Sequence, residues 1–357
     1  GPDGEYDTDD DGLPATYDEF YELCDEIKNG NDIPLCWPGK YKEQHLGGLM
    51  NNLISNYEGV EQMRINYDFA GTANDLVVLD GEGKIMYNAD GSVKTESKKI
   101  TTTNGYDIAR QVGKLYGMEF IDEIMKADNG YYYTDSFTDS YSHTDNQEMF
   151  LMNGTEFSNE SKTIAMLVDG VWWENEATTD FDLVAKRNPD ETKATRKFGF
   201  MPVPKATADQ TYTKQTLVSQ NNSYCFVNAN SEHLDVAKLF LQFVHTDKQL
   251  ANFTIGTSVT RSLNYTMDET QLAKCSYYGQ SIYRMKKNTD IYYPVSSVEF
   301  VINNIGYFDF ETSWCWMSKN GTTQSTEVLS RFANGETAQQ YFNGLSTYFS
   351  ANGWKGK

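Results

Sequence analysis

A chain of 357 residues exceeds what one compact core organises, so two domains or two lobes sharing strands are expected. Asp and Glu number 51 against 30 Lys and Arg, and the resulting charge of -21 argues against nucleic acid and anionic lipid as partners. No apolar run approaches the roughly 20 residues that a membrane-spanning helix needs, and the five cysteines, odd in number and without CxxC spacing, indicate neither a disulfide framework nor a zinc site.

In chain order, Thr16 is placed to cap a helix, with Glu19 three residues on as in a capping box and Tyr17, Phe20, Cys24 and Ile27 along one face; Gly30 ends it. Ile33 to Cys36 reads as a short strand, and Lys42 to Tyr57 as a helix carrying Leu46, Leu49, Met50, Leu53 and Ile54. Val77 to Lys94, with Asp80-Gly81 and Asp90-Gly91, reads as a β-hairpin excursion, Asp107 to Met125 as a helix, and Asn129 to Asp145 as a loop. Ile164 to Val168 reads as a buried strand that ends at Asp169-Gly170. Phe198 to Val203 and Tyr224 to Val227 read as strands, Ser231 as the cap of a helix with Leu234, Ala237, Leu241 and Val244 inward, and Val328 to Ala333 and Ala338 to Phe349 as helices parted by Gly335. Strands alternating with helices predict an α/β architecture with mainly parallel sheets.

Several of these pieces, taken together and in order, resemble the sugar-binding branch of the extracellular solute-binding proteins, the group that contains maltose-binding protein. They are the run from Leu13-Pro14-Ala15-Thr16 to Phe20, Gly30 to Pro34, Met149-Phe150, Ile164 to Trp173 with its Asp169-Gly170-Val171-Trp172 core, Phe198 to Pro204, and the helix from Ser231 to Val244. The resemblance implies a two-lobed periplasmic-binding-protein type II-like fold that closes around a ligand in its cleft. Family members carry a further N-terminal βα segment, so the resemblance also implies an incomplete N-terminal lobe. It assigns residues 1–197 mainly to the C-terminal lobe, 198–254 to the N-terminal lobe and 255–357 to a return into the C-terminal lobe. The implied function is non-catalytic capture of an oligosaccharide and its delivery to the permease of an ABC importer, by a monomer that is extracellular, as a cell-surface lipoprotein, or periplasmic.

Within the family the Trp that follows the apolar strand and its Gly lies under a sugar ring. Trp172 and Trp173 both fit; a flat indole covers the C–H face of a pyranose while its N–H bonds a hydroxyl, and a tandem Trp equally suits core packing. Because successive residues alternate faces, one ring is expected to be buried and the other exposed, with Trp172 the one placed in the cleft. Tyr41, after the Trp37-Pro38-Gly39 turn, matches a ligand-contacting family position, and Trp37 joins the candidate set. Trp314 and Trp316 supply a candidate second platform, although their i, i+2 spacing supports packing equally.

Asp7, Asp9, Asp11, Gly12 and Asp18 fall at positions 1, 3, 5, 6 and 12 of a calcium loop, with the carbonyl of Leu13 at position 7. One reading is a structural Ca2+ site built from Asp7, Asp9, Asp11, Leu13 and Asp18. The other is an acidic stretch placed where a helix N-terminus stabilises negative charge. Two rival functions also stand: a secreted glycoside hydrolase, which displays Trp and Tyr beside paired carboxylates, and a surface adhesive protein, which accounts for six N-x-S/T sequons at Asn153, Asn159, Asn221, Asn252, Asn264 and Asn320. The four histidines form no HExxH spacing, and neither GxSxG nor a phosphate loop occurs.

Overall fold

A computed structural model describes residues 12–152, 161–219, 225–304, 324–344 and 351–354. Helix α1 (Tyr17–Asn29) starts as its sequence dictates: Thr16 is extended and its Oγ1 accepts from the Glu19 amide at 3.3 Å. Glu19 reaches past Thr16 to accept from the Ala15 amide at 2.7 Å, a capping box displaced by one residue. Gly30 closes the helix, and Asn31, in the left-handed region at φ 71°, turns the chain into β1 (Ile33–Cys36).

Helix α2 (Lys42–Asp68) continues well past Tyr57, bent at Gly59, whose φ of 73° is non-helical. Strands β2 (Gly71–Val77) and β3 (Thr95–Ile100) pair antiparallel, and the segment between them folds into the expected surface excursion, with Gly83 and Gly91 at positive φ in its two turns. The single helix expected from Asp107 to Met125 is instead a 3-10 turn (Gly105–Arg110) followed by α3 (Val112–Met125). Gln111 between them is held out of the helix by its own side chain. Its Nε2 donates to Glu58 and to the Gln62 carbonyl at 3.2 Å each, and its Oε1 accepts from Asn66 at 2.8 Å.

The chain goes on through α4 (His143–Met152), β4 (Ile164–Leu167), α5 (Trp173–Glu176), α6 (Thr178–Arg187), β5 (Gln215–Val218), α7 (Leu234–Val244), α8 (Asp247–Thr257), α9 (Glu269–Leu272) and α10 (Tyr277–Lys287). It then forms β6 (Thr289–Tyr292), α11 (Glu299–Asn303), α12 (Gln324–Ala333), α13 (Ala338–Asn343) and a last helical turn, Ala351–Trp354. Strand β1 pairs parallel with β4, Ile33 opposite Ile164, and β5 pairs parallel with β6, so two of the three strand pairings among the described residues are of the expected kind.

Three local expectations are corrected. Residues 198–203 form no strand: Pro202 and the following Pro204 lack N–H donors, and the carbonyls of Val203 and Pro204 accept instead from Asn56 of α2. Residues 225–227 form none either, Tyr224 lying outside the described residues. Ser231 precedes the helix rather than capping it, its Oγ accepting from His233, and α7 begins at Leu234. The inward side of α7 is the expected one, but Leu234, Ala237, Leu241 and Val244 are only half-buried, while Val236, Leu239, Phe240 and Phe243 face solvent.

The main core joins α1, β1, α2, β2, α3, α12 and α13 around Phe20, Leu46, Ile54, Leu76, Phe120 and Phe342. A second apolar cluster lies beside β4 and contains Phe150, Ile164, Trp173, Phe181 and Tyr278. Cys24, Cys36 and Cys275 are buried thiols, Cys225 is exposed, and Cys315 lies outside the described residues. No helix among the described residues is long and apolar enough to cross a membrane.

Candidate functional site

Three extended segments run parallel and end on one edge. On one side of β1 lies β4; on the other, Leu35 donates to the Tyr131 carbonyl at 2.9 Å and accepts from the Tyr133 amide at 2.8 Å. Carboxyl ends of parallel strands are where open α/β sheets gather ligand-binding loops. Here they deliver Gly39 to Tyr41, Tyr141 to His143, and Asp169 to Trp172. The edge is tightly built: a Cβ on Gly39 would sit 2.4 Å from the Thr138 carbonyl, so only glycine lets these two loops meet.

Asp169 is the hub. Its side chain is 2% exposed; Oδ1 accepts from the Gly170 amide at 2.6 Å and faces His45 Nε2 at 3.5 Å, while Oδ2 accepts from Gln147 Nε2 at 3.0 Å. His45 uses Nδ1 to donate to the Tyr41 carbonyl at 3.0 Å, which leaves Nε2 as the ring atom turned toward Asp169. The same Gln147 Nε2 donates to Glu176 Oε2 at 2.8 Å, and Glu176 Oε1 lies 3.9 Å from His143 Nε2. The His143 ring in turn packs 5.6 Å from the ring of Tyr41.

Not every polar atom in the cluster has a partner. Asn146 and Gln147 are wholly buried, yet Nδ2 and Oδ1 of Asn146 and Oε1 of Gln147 have no hydrogen-bond partner among the described residues. Three residues beyond Asp169, Trp172 is 39% exposed, its indole laid over Gly170 so closely that a Cβ there would fall 2.2 Å from the ring. Trp172 is therefore a surface indole whose position depends on its neighbour having no side chain.

The other sequence candidates are distributed differently. Trp173 is 5% exposed and packs edge-on against Phe150, Phe198 and Tyr278, so the structure makes it a core residue and gives it no face for a ligand. Trp37 is also fully buried, against Tyr132 and Phe137, with its Nε1 unpartnered among the described residues. For these two, burial among protein aromatics fits the packing reading. Tyr41 is half-buried at the edge of the cluster. Trp314 and Trp316 lie outside the described residues, as do Asp7, Asp9 and Asp11 of the calcium loop. Leu13 and Asp18 are described: Leu13 is half-buried, and Asp18 is an exposed carboxylate in the first turn of α1, a favoured place for negative charge whether or not a cation is near. Among the described residues no group of three or more His, Cys, Asp or Glu is arranged to hold a metal ion.

Burial holds the neighbouring nucleophiles protonated. The Cys36 thiol is pushed well up by burial and then by the charge of Asp169. The Tyr278 hydroxyl is likewise raised by burial, Asp169 and Glu174, and donates to the Gly170 carbonyl at 3.4 Å. The chemistry at this edge is that of fixed acceptors and neutral donors. Of the residues gathered at this edge, sequence reasoning singled out Trp172 and Tyr41 and did not single out His45, Gln147, Asn146 and Glu176. The last lies four residues beyond Trp172, and its position after a turn was a usable signal; polar residues on the helices α2 and α4 carry none without knowledge of what they face.

No protein-family model and no curated protein matches this chain. Solved structures do. A binding protein, MsmE of Bacillus subtilis subsp. subtilis str. 168, in an open conformation, superposes with a TM-score of 0.51 at 13% identity, over 94% of this chain and 64% of its own. RafE in complex with raffinose gives 0.51 at 13% identity, over 94% and 66%, and the apo form of RafE from Streptococcus pneumoniae gives 0.50 at 13%, over 94% and 65%. The fold is thus mixed α/β and matches the type II periplasmic-binding-protein-like fold of these binding proteins. The chain spans about two thirds of the length of those it matches.

Proposed function

We propose that this chain captures a neutral oligosaccharide outside the cytoplasm, performs no chemistry on it, and presents it to the permease of an ABC importer. The observation that carries the reading is Trp172: a partly exposed indole, set by Gly170 at the carboxyl edge of parallel strands, beside acceptors fixed in place. A pyranose needs both parts, an aromatic plane for its C–H face and directed partners for its hydroxyls. The fold likeness supports the same reading, since RafE is a solute-binding protein solved with raffinose. Tyr41, His45 and His143 complete the edge of the site. Capture would follow closure of the fold around the sugar, which excludes water from the hydrogen bonds it makes.

The test is isothermal titration calorimetry of the protein with raffinose, stachyose, maltotriose and cellotriose, each mixture analysed afterwards for products. Saturable binding with the sugar recovered intact is the expected result; turnover would move the protein to the hydrolases. Trp172→Ala should weaken the tightest of these sugars by about thirtyfold or more, the loss of a central aromatic anchor being worth about 2 kcal/mol or more, with the melting temperature little changed. Unchanged affinity would return Trp172 to packing.

A further inference from the structure

Gln147 occupies a position that the platform alone does not explain. A primary amide nitrogen has two hydrogens, and Gln147 spends one on Asp169 Oδ2 at 3.0 Å and the other on Glu176 Oε2 at 2.8 Å. One nitrogen on α4 therefore holds two carboxylates from separate places, the loop after β4 and the end of α5, against their mutual repulsion. Each carboxylate oxygen retains further acceptor capacity, and the amide's own Oε1, with both polar atoms of Asn146, is buried without a partner among the described residues. Leaving such atoms unsatisfied costs about 1–3 kcal/mol apiece. A cluster that tolerates three of them next to an exposed indole is organised for something other than stability.

We propose that Gln147 is a positioning residue that fixes Glu176 against the buried Asp169 as an acceptor for a hydroxyl of a neutral sugar, and that the charge of this pair rejects acidic sugars. The inference rests on the saccharide reading above and deepens it. Glu176, with the charge of Asp169 behind it, accepts from a hydroxyl group but repels a uronate; of the lysines at this edge, Lys40 lies 5.4 Å from the ring of Tyr41, and Lys42 is engaged by the Gly39 carbonyl at 3.3 Å and by Asp139 at 3.0 Å. His45 and His143 face one carboxylate each. Selectivity is then a property of the pair, and affinity a property of the amide that aligns it.

The experiment compares the tightest-binding neutral sugar of the panel with trigalacturonate, by calorimetry, in the parent, in Gln147→Met and in Glu176→Gln, with a melting curve for each. Gln147→Met keeps the length of the side chain and removes its hydrogen bonding; a loss of tenfold or more for the neutral sugar is expected. Glu176 is largely at the surface, so Glu176→Gln should fold as the parent does, and it should admit trigalacturonate measurably while binding the neutral sugar less tightly. A purely structural role would lower both sugars together and leave their ratio unmoved. If the parent binds none of the sugars, the saccharide reading falls and this inference with it. If the parent binds a neutral sugar and Gln147→Met binds it equally, or if the parent takes trigalacturonate as readily, the inference alone is overturned.

Discussion

Two buried polar clusters in this molecule are built from the same residue types and end in opposite conditions. In the first, between α2, β2 and α3, Glu58 accepts from the Gly113 amide at 2.9 Å and from Gln111, Asn66 donates to Gln111, and Lys114 donates to Asn66 at 2.6 Å and to the Ile108 carbonyl at 3.1 Å. Among the described residues, Asp75 Oδ1 is the one atom of this cluster without a partner. In the second, around Asp169, Gln147 and Glu176, a donor and two acceptors have no partner among the described residues, and an exposed indole lies three residues beyond Asp169. A nearly closed network fixes the bend of α2 at Gly59 and the start of α3; an unfinished one leaves valences for a ligand. Satisfaction of partners, more than charge or burial, separates scaffold from site.

The comparison can be broken most forcefully through the tandem tryptophans. Trp173 lies in the core, so Trp173→Ala should cost about 3–5 kcal/mol in urea unfolding, whereas Trp172→Ala should cost affinity and little stability. Equal stability losses would erase the distinction between scaffold and site.

The next effect is on pH. Burial, then the charge of Asp75, raises Glu58 well above the ordinary carboxylate range, and burial raises Asp75 to about 6. Both groups bind protons more tightly when folded. Their contribution is complete below the unfolded values near 4 and is lost as pH rises through 6 and beyond. The urea midpoint should therefore fall between pH 5 and pH 8, and the double substitution Glu58→Gln with Asp75→Asn should flatten that slope. A slope that survives would place its origin elsewhere. At the site itself, Gly170→Ala drives a methyl group into the Trp172 indole; affinity for the bound sugar should fall about tenfold while the melting temperature moves by only a few degrees.

Much of the scaffold was legible because it follows local rules. The Thr16 cap, β1, the Ile164 strand with its Asp169-Gly170 exit, and the exposure of one indole of the Trp172-Trp173 pair all follow from period and turn chemistry. What failed was decided by distant partners. Gln111 breaks a helix because residues of α2 hold its side chain, and Phe198 to Val203 is not a strand because Asn56 takes the carbonyls that a neighbour would have used. The Gln147 clamp was illegible for the same reason: one bond reaches across 22 residues and the other across 29. The burial of Trp37 was likewise not legible, because Tyr132 and Phe137, which pack against it, lie about a hundred residues away in the chain.

The smallest effect is expected where periodicity and burial disagree. Helix α7 has apolar residues on nearly every side, a pattern that signals burial all round, yet Phe240 is 61% exposed and Val236, Leu239 and Phe243 more than half exposed. Hydrophobic stabilisation follows the area removed from water, and at Phe240 little is removed. Phe240→Ser should accordingly shift stability by less than about 0.5 kcal/mol, against the several kcal/mol of Trp173→Ala, although Phe and Trp are both large aromatics. A melting shift of several degrees for Phe240→Ser would mean that this face is covered in solution, and α7 would then belong with the core and not with the surface.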